Sequence, residues 1–138
     1  MLADDLAAAL VAIRPDNADA LAGLDLLYAE DVRFRDPIQQ LVGRPAFVAM
    51  NERLLRRLRA LRWQIHHAAG DHDHAMLEWT MHATTKRGVK LSVDGTTVVH
   101  ARTGRIIDHR DYWDLGEMFA SSVPWGLRLL HAVRRPLA

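Results

Sequence analysis

The sequence predicts an α+β fold: a cone-shaped, curved antiparallel sheet packed on a long helix, with two N-terminal helices before it. Up to about residue 62, apolar residues recur at the spacing of an amphipathic helix. From Trp63 onward, apolar and polar residues alternate as they do in strands. Helices followed by strands are the α+β pattern, and 138 residues are the usual size of one domain, here residues 1–138.

The first helices follow from apolar spacing and from the residues that stop them. Leu6, Leu10 and Ile13 predict a short first helix, which Pro15 ends because proline cannot continue a helix. Asp16 or Asn17 can cap a second helix, whose apolar face would carry Leu21, Leu24, Leu27 and Tyr28.

A short strand and the long helix come next. Residues 32–35 alternate and predict a strand that ends before Pro37. Pro45 then opens a helix that is expected to run to about Arg62. Its inward residues would be Phe47, Met50, Leu54, Leu58 and Leu61.

Four strands are predicted in the second half of the chain, at residues 63–68, 75–84, 89–100 and 105–114. The connections are short and rich in Gly, Asp and Lys or Arg, so an antiparallel meander is expected. Residues 115–130 are weakly helical, with a break at Val123 and Pro124.

Composition excludes several classes of function. The chain has no cysteine, so disulfides, thiolate metal sites and cysteine nucleophiles are ruled out. With a net charge of +1 there is no global field to attract nucleic acid or acidic membrane. The sequence has no signal-peptide pattern and no apolar run of transmembrane length, so a cytoplasmic protein with neither membrane nor nucleic-acid partner is expected.

Two clusters of charged or titratable residues are interpreted conservatively. The histidines near residue 70 include His72 and His74, which fall in a turn between aspartates, so no metal is expected. The basic helical stripe is interpreted as a solvated face opposite the leucines. Its members are Arg53, Arg56, Arg57, Arg59 and Arg62.

Two segments resemble a known group of proteins. One is Tyr-Ala-Glu-Asp-Val-Arg-Phe-Arg-Asp-Pro at residues 28–37, followed by Gly43. The other is Gly-Arg-Ile-Ile-Asp-His-Arg-Asp-Tyr-Trp-Asp at residues 104–114. Together with the element order, they resemble the nuclear transport factor 2-like superfamily, which includes ketosteroid isomerases, SnoaL-like polyketide cyclases and limonene epoxide hydrolase. One such scaffold hosts many chemistries.

The resemblance to ketosteroid isomerase implies roles for single residues. Asp36 is similar to that enzyme's general base, and Tyr28 to a tyrosine that supports its oxyanion hole. The second oxyanion position falls at Asp94 or Thr96, and both remain open. The principal oxyanion tyrosine is expected near Ala12, where the chain has none.

The resemblance to the epoxide hydrolase is also partial. Asp111 is similar to one of its two aspartates, and Glu78 falls at the position of the other. Met76 stands where that enzyme has an arginine, which argues against unmodified epoxide hydrolysis.

The resemblance also selects the sheet face that would line the pocket. On the last strand this face carries His109, Asp111 and Trp113. On the two preceding strands it would carry Glu78, Asp94 and Thr96, which leaves Trp79, Met81 and Tyr112 on the opposite face. That opposite face would be the interface of a homodimer.

The functional hypothesis is a cofactor-free acid–base enzyme acting on a small hydrophobic substrate, as an isomerase or a cyclase does. The catalytic residues would be Asp36, His109 and Asp111, since a carboxyl group in an apolar cleft becomes a usable base or acid. Tyr28, Glu78, Asp94, Thr96 and Trp113 would bind the substrate. The alternative is a non-catalytic ligand-binding or interaction module, in which Asp111 pairs with His109 and only supports the cone.

Overall fold

One six-stranded sheet and its flanking helices form the computed structural model, which describes residues 1–123 and 125–134. The elements in chain order are α1 (Leu2–Ala12), a 3-10 helix (Ala18–Gly23), α2 (Leu24–Leu27), β1 (Tyr28–Arg35), β2 (Gln40–Val42), α3 (Arg44–Arg57), β3 (Leu58–Gly70), β4 (His74–Thr85), β5 (Lys90–Arg102), β6 (Arg105–Trp113), α4 (Leu115–Ala120) and α5 (Gly126–Arg134).

The sheet is mixed, with the strand order β2-β1-β6-β5-β4-β3. Strands β3 to β6 form an antiparallel meander, which is the topology that their short connections predict. The short strand β2 pairs antiparallel with β1, whereas β1 runs parallel to β6. The α+β class and the curved sheet are therefore confirmed, and β1 adds a parallel pair to the predicted antiparallel meander.

The long helix ends five residues earlier than predicted. It stops at Arg57, and Leu58 opens β3 by pairing with Thr85. The register of β3 shifts between Leu58 and Ala60, and Leu58 and Leu61 are both buried. A bulge places two residues three apart on the same side of a strand, so this pair imitates helical spacing in the sequence. The buried residues of the helix itself are Phe47, Asn51 and Leu55.

The predicted second helix is also shorter in the structure. It divides into the 3-10 helix and the single turn of α2, and Tyr28 is the first residue of β1 instead of the last of a helix. Strand β2 was missed by the sequence analysis. It is three residues long, too short for its alternation to be recognised.

The core lies between the concave face of the sheet and the helices α1 and α3. Leu6, Leu77, Val99 and Ile106 are among its fully buried side chains.

Near the C-terminal end, the predicted break between helices falls between α4 and α5, although Pro124 itself lies outside the described residues. No helix in the described part of the chain has the length and apolarity needed to cross a membrane.

Candidate active site

A cavity of about 370 Å³ opens between the sheet and the helices α1 and α3. Its volume lies in the range of small-molecule sites. We call Tyr28, Trp79, His109 and Asp111 the floor, because these lining residues belong to one group of hydrogen-bonded side chains; Asp111 is half-buried and the other three are buried. We call Asp36, Ile38, Gln39, Arg53 and Arg57 the entrance, since they are the exposed lining residues and their half-buried neighbours.

A continuous chain of hydrogen bonds crosses the floor. The Trp79 indole donates to Thr97 Oγ1 at 2.9 Å, and the Thr97 hydroxyl donates to Asp111 Oδ1 at 2.6 Å. Asp111 Oδ1 also lies 2.8 Å from His109 Nε2, and His109 Nδ1 lies 2.8 Å from the Tyr28 hydroxyl. Four strands supply these five side chains, since Trp79 is on β4, Thr97 on β5, His109 and Asp111 on β6, and Tyr28 on β1.

The partners of His109 determine its proton positions. Asp111 accepts from Nε2, so that nitrogen carries a proton, and Nδ1 is then free to accept from the Tyr28 hydroxyl. Burial, and secondarily the negative charge of Asp111, raise the pKa of Tyr28 well above its ordinary value, so its phenol keeps the proton it donates. The floor therefore holds the His109 imidazole between the carboxyl group of Asp111 and the phenol of Tyr28.

Three aromatic rings enclose the imidazole of His109. The ring centroids of Tyr28, Phe34 and Phe47 lie 5.8, 5.1 and 5.5 Å from that of His109. The His109 side chain is 3% exposed and that of Asp111 is 17% exposed. A ligand in the cavity therefore reaches the Asp111 carboxylate more easily than the imidazole behind it.

Asp36 lines the same cavity but is bonded in a different way. Its Oδ1 accepts the backbone N–H groups of Ile38 and Gln39 at 2.8 and 2.9 Å. This is the bonding of an aspartate that closes a turn. The turn connects β1 to β2, and it positions one carboxylate at the entrance.

The predicted substrate-binding residues Glu78, Asp94 and Thr96 do not line the cavity, so this part of the prediction is wrong. Glu78 and Thr96 are neighbours across β4 and β5, as are Thr80 and Asp94. Glu78 pairs with His67 at 2.6 Å, and Asp94 accepts from the Thr80 hydroxyl at 2.5 Å. These residues lie on the sheet face away from the cavity, which we call the outer face.

The same error affects residues assigned to the homodimer interface. Trp79 and Met81 line the cavity instead of the outer face, whereas Tyr112 is exposed as predicted. On β4 and β5 the positions that the resemblance assigns to the cavity face differ by one residue from those that face the cavity. A shift of one residue exchanges the faces of a strand. The alternation in the sequence itself, with apolar Leu77, Trp79 and Met81, indicates the correct face.

His109, Asp111 and Trp113 do line the cavity, as does Tyr28. The residue that sequence reasoning missed is Thr97, which is 1% exposed and connects Trp79 to Asp111. Its signal in the sequence is a polar residue at an inward position of β5, between Val93 and Val99. A buried polar group needs a partner, so this position indicates a hydrogen-bonded network.

The histidines of the outer face contact polar side chains of neighbouring residues. His66 Nε2 lies 2.7 Å from Thr80 Oγ1, and His74 lies beside Asp71 in the turn between β3 and β4. Backbone N–H groups of Asp73 and His74 lower the pKa of Asp71 and close that turn. Within residues 1–123 and 125–134, no group of three His, Asp or Glu side chains is arranged to hold a metal ion.

Solved structures of the same architecture have names that span several chemistries. An epoxide hydrolase from M. tuberculosis, described as LEH-like, aligns over 98% of this chain and 96% of its own, with 21% identity and a TM-score of 0.73. A protein from Xanthomonas campestris, provisionally named a polyketide cyclase, aligns over 88% and 97%, with 23% identity and a TM-score of 0.69. A protein from Agrobacterium tumefaciens, provisionally named an isomerase of the SnoaL-like family, aligns over 82% and 97%, with 23% identity and a TM-score of 0.66.

These similarities establish the fold, which is also the fold of a solved structure described as NTF2-like. Residues 10–109 match the family model of the SnoaL-like domain, and the chain belongs to that family. No protein with curated functional data matches the sequence. At these identities the solved structures establish the fold, and the activity has to be argued from the site.

Proposed function

We propose that this protein is an acid–base enzyme for small hydrophobic molecules, with Asp111 as the group that takes and returns a proton. The observation that carries the proposal is the bonding of Asp111. Both of its hydrogen bonds reach Oδ1, and no group in the described part of the chain bonds to Oδ2. One oxygen is thus held in place while the other is available to a ligand in the cavity.

His109 is the partner that supports the change of charge on Asp111. In the resting site its Nε2–H stabilises the carboxylate, and its Nδ1 is held by the Tyr28 hydroxyl. In the reaction, a proton leaves a carbon beside a carbonyl group and moves to Asp111 Oδ2. The same proton then returns to another atom of the substrate, so no electrons are gained or lost. A base positioned in this way typically contributes about 10²–10⁴-fold to the rate.

Asp36 is the second candidate for the base, as the resemblance to ketosteroid isomerase implies. It lines the cavity, and its two hydrogen bonds also reach Oδ1, but they come from the backbone N–H groups of its own turn. Asp111 is favoured because its partners, the Thr97 hydroxyl and the His109 imidazole, are side chains that can transfer protons. The partners of Asp36 are backbone amides, which do not transfer protons during catalysis. Epoxide hydrolysis by an aspartate–arginine–aspartate set is not favoured, since in the described residues no arginine pairs with Asp111.

The experiment compares three matched substitutions, Asp111→Asn, Asp36→Asn and Asp94→Asn, with a panel of enones, cyclisable polyketides and epoxides. Exchange of carbon-bound hydrogen for deuterium in D₂O, followed by NMR, detects proton transfer even without net turnover. Asp111→Asn is expected to lower turnover and exchange by about 10²–10⁴-fold. Asp94 is on the outer face, so Asp94→Asn controls for the loss of one negative charge.

The outcomes separate the two carboxylates. Should Asp111→Asn react as fast as the wild type while Asp36→Asn is inactive, the base is Asp36 and the proposal for Asp111 is wrong. Circular dichroism and thermal melting of each variant show whether a loss of activity comes from a loss of fold.

A second candidate function is ligand binding without catalysis. It is favoured by the fact that both nitrogens of His109 are already bonded within the protein, as in a purely structural network. In that case hydrophobic ligands would quench the fluorescence of Trp63, Trp79 and Trp113, which line the cavity, and no panel member would react or exchange.

A further inference from the structure

Two arginines of α3 lie at the entrance of the cavity. Arg53 and Arg57 both line it and both are exposed, so their side chains are reached from the solvent and from the cavity. Residues four apart on a helix lie on the same side, one turn above the other. The entrance therefore has two guanidinium groups on one side of the opening.

Neither guanidinium forms an ion pair in the part of the chain that the structure describes. Within residues 1–123 and 125–134, the arginines that form ion pairs are Arg14, Arg33 and Arg44. Asp36 is at the same entrance, but its Oδ1 bonds to backbone groups and it forms no ion pair in the described residues. Arg57 is in the last turn of α3, where a positive charge offsets the helix dipole, but Arg53 is one turn too early for that role.

The cavity behind these arginines is mostly apolar. Its walls include Leu6, Leu10, Leu54, Leu91 and Val93. A paired positive charge beside an apolar volume matches a molecule that has the opposite arrangement, namely an apolar body and a negatively charged end. Guanidinium groups bind carboxylates through two parallel hydrogen bonds, which makes this the best-matched anion.

We propose that the ligands of this cavity are carboxylic acids with an apolar body, held with the body inside and the carboxylate at Arg53 and Arg57. This assigns a substrate class to the proposed enzyme, and in that respect it rests on the proposed function. The binding preference itself is independent of catalysis. It would also orient the molecule, because the carboxylate at the entrance directs the far end of the ligand toward Asp111.

Direct binding measurements test this preference. The probes are decanoate, its methyl ester and decan-1-ol, which share an apolar chain and differ in charge. Binding is followed by quenching of tryptophan fluorescence and by isothermal titration calorimetry. Wild-type protein is expected to bind decanoate about tenfold more tightly than the ester, because a hydrogen-bonded charge pair is being added. That preference should weaken as salt is added, since the pair is at an exposed entrance.

Variants identify the residues responsible. The double variant Arg53→Gln/Arg57→Gln should lose the preference for the acid while binding the ester as well as the wild type does. The matched control is Arg56→Gln/Arg59→Gln, which removes the same charge from neighbouring positions that do not line the cavity. Its preference for decanoate should equal that of the wild type.

Several results would overturn the inference. These are equal binding of acid and ester by the wild type, no binding of decanoate, an undiminished preference in the Arg53→Gln/Arg57→Gln protein, or an equal loss in the control. Asp111→Asn separates this inference from the proposed function, since it should lower turnover by about 10²–10⁴-fold and keep the preference. A preference for acids without any turnover supports the inference and contradicts the proposed enzyme. Turnover without that preference supports the proposed enzyme and contradicts the inference.

Discussion

The floor and the entrance of the cavity each contain one aspartate, but its hydrogen-bond partners differ between the two regions. At the floor, Asp111 is bonded by the side chains of Thr97 and His109, and the chain of bonds continues to Tyr28 and Trp79. At the entrance, Asp36 is bonded by backbone amides of its own turn. The arginines there have no partner within the described residues.

This difference shows how one cavity can combine rigid and adaptable parts. The polar groups of the floor are bonded to one another, so a change in one of them disturbs several residues at once. Exposed groups at the entrance are solvated and change nearly independently of one another. Substitutions at the floor should therefore cost stability, whereas those at the entrance should alter binding with little effect on the fold.

The largest expected difference comes from truncating one residue in each region. Trp79 is 2% exposed and Ile38 is 60% exposed, although both line the cavity. Trp79→Ala should lower the free energy of unfolding by about 3–5 kcal/mol, since it removes a buried indole. Ile38→Ala should change it by less than about 0.5 kcal/mol. Urea denaturation measures both values, and similar losses in the two variants would remove the distinction between the regions.

A smaller effect is expected where the backbone approaches the floor. A Cβ atom at Gly95 would lie 2.3 Å from Cη2 of Trp79, so the indole occupies the space that a side chain would need. Gly95→Ala should destabilise the protein by about 1–3 kcal/mol through overpacking, and it should push Trp79 toward the cavity.

Gly23 provides the matched control, because nothing lies within 4 Å of the Cβ it would carry and its φ is −65°. Gly23→Ala should be neutral or stabilise the protein by up to about 1 kcal/mol. If Gly95→Ala melted at the wild-type temperature, Trp79 would be free to move and the floor would not be rigid.

The smallest effect should appear at alkaline pH. The pKa of Tyr28 is raised in the folded protein, while in the unfolded chain it is about 10. Above that pH the unfolded chain releases the proton and the folded protein keeps it. The contribution of Tyr28 to the free energy of unfolding is therefore fully present below about pH 10 and declines above it, by up to about 1.4 kcal/mol per pH unit.

Tyr28→Phe should lack this part of the decline. The free energies of unfolding of the two proteins, measured by urea denaturation at several alkaline pH values, isolate the contribution of Tyr28 by difference. Parallel curves would mean that the Tyr28 phenol ionises equally readily in both states, and the proton assignment of the floor would then be wrong.

The fold class was predictable because it depends on patterns that are local in sequence. Alternation from Trp63 onward and the short turns predict the meander of β3 to β6. The end of α3 was not predictable, since the bulge at Leu58 gives a strand the apolar spacing of a helix. Pairing with Thr85, which is distant in sequence, decides between the two structures at this point.

Strand geometry predicts the lining of the cavity only where a single strand carries it, whereas Tyr28 and Asp36, which also line it, follow from the family resemblance. His109, Asp111 and Trp113 are alternate residues of β6, so their common face follows from strand geometry. Glu78, Asp94 and Thr96 were misplaced because matching across strands depends on register, which one sequence does not fix. Thr97 was missed for a related reason: its role exists only because Trp79 and Asp111 flank it on neighbouring strands.

The parallel pairing of β1 with β6 determines when the site can form during folding. Tyr28 and His109 are 81 positions apart, and they meet where β1 pairs with β6. Contacts between residues so distant in sequence form slowly, because a long loop of chain must be closed first. The meander can fold from neighbouring hairpins, whereas the contact of Tyr28 with His109 requires the pairing of β1 with β6. The hydrogen-bonded floor is thus expected to form late in folding, and a partly folded chain would have the meander without it.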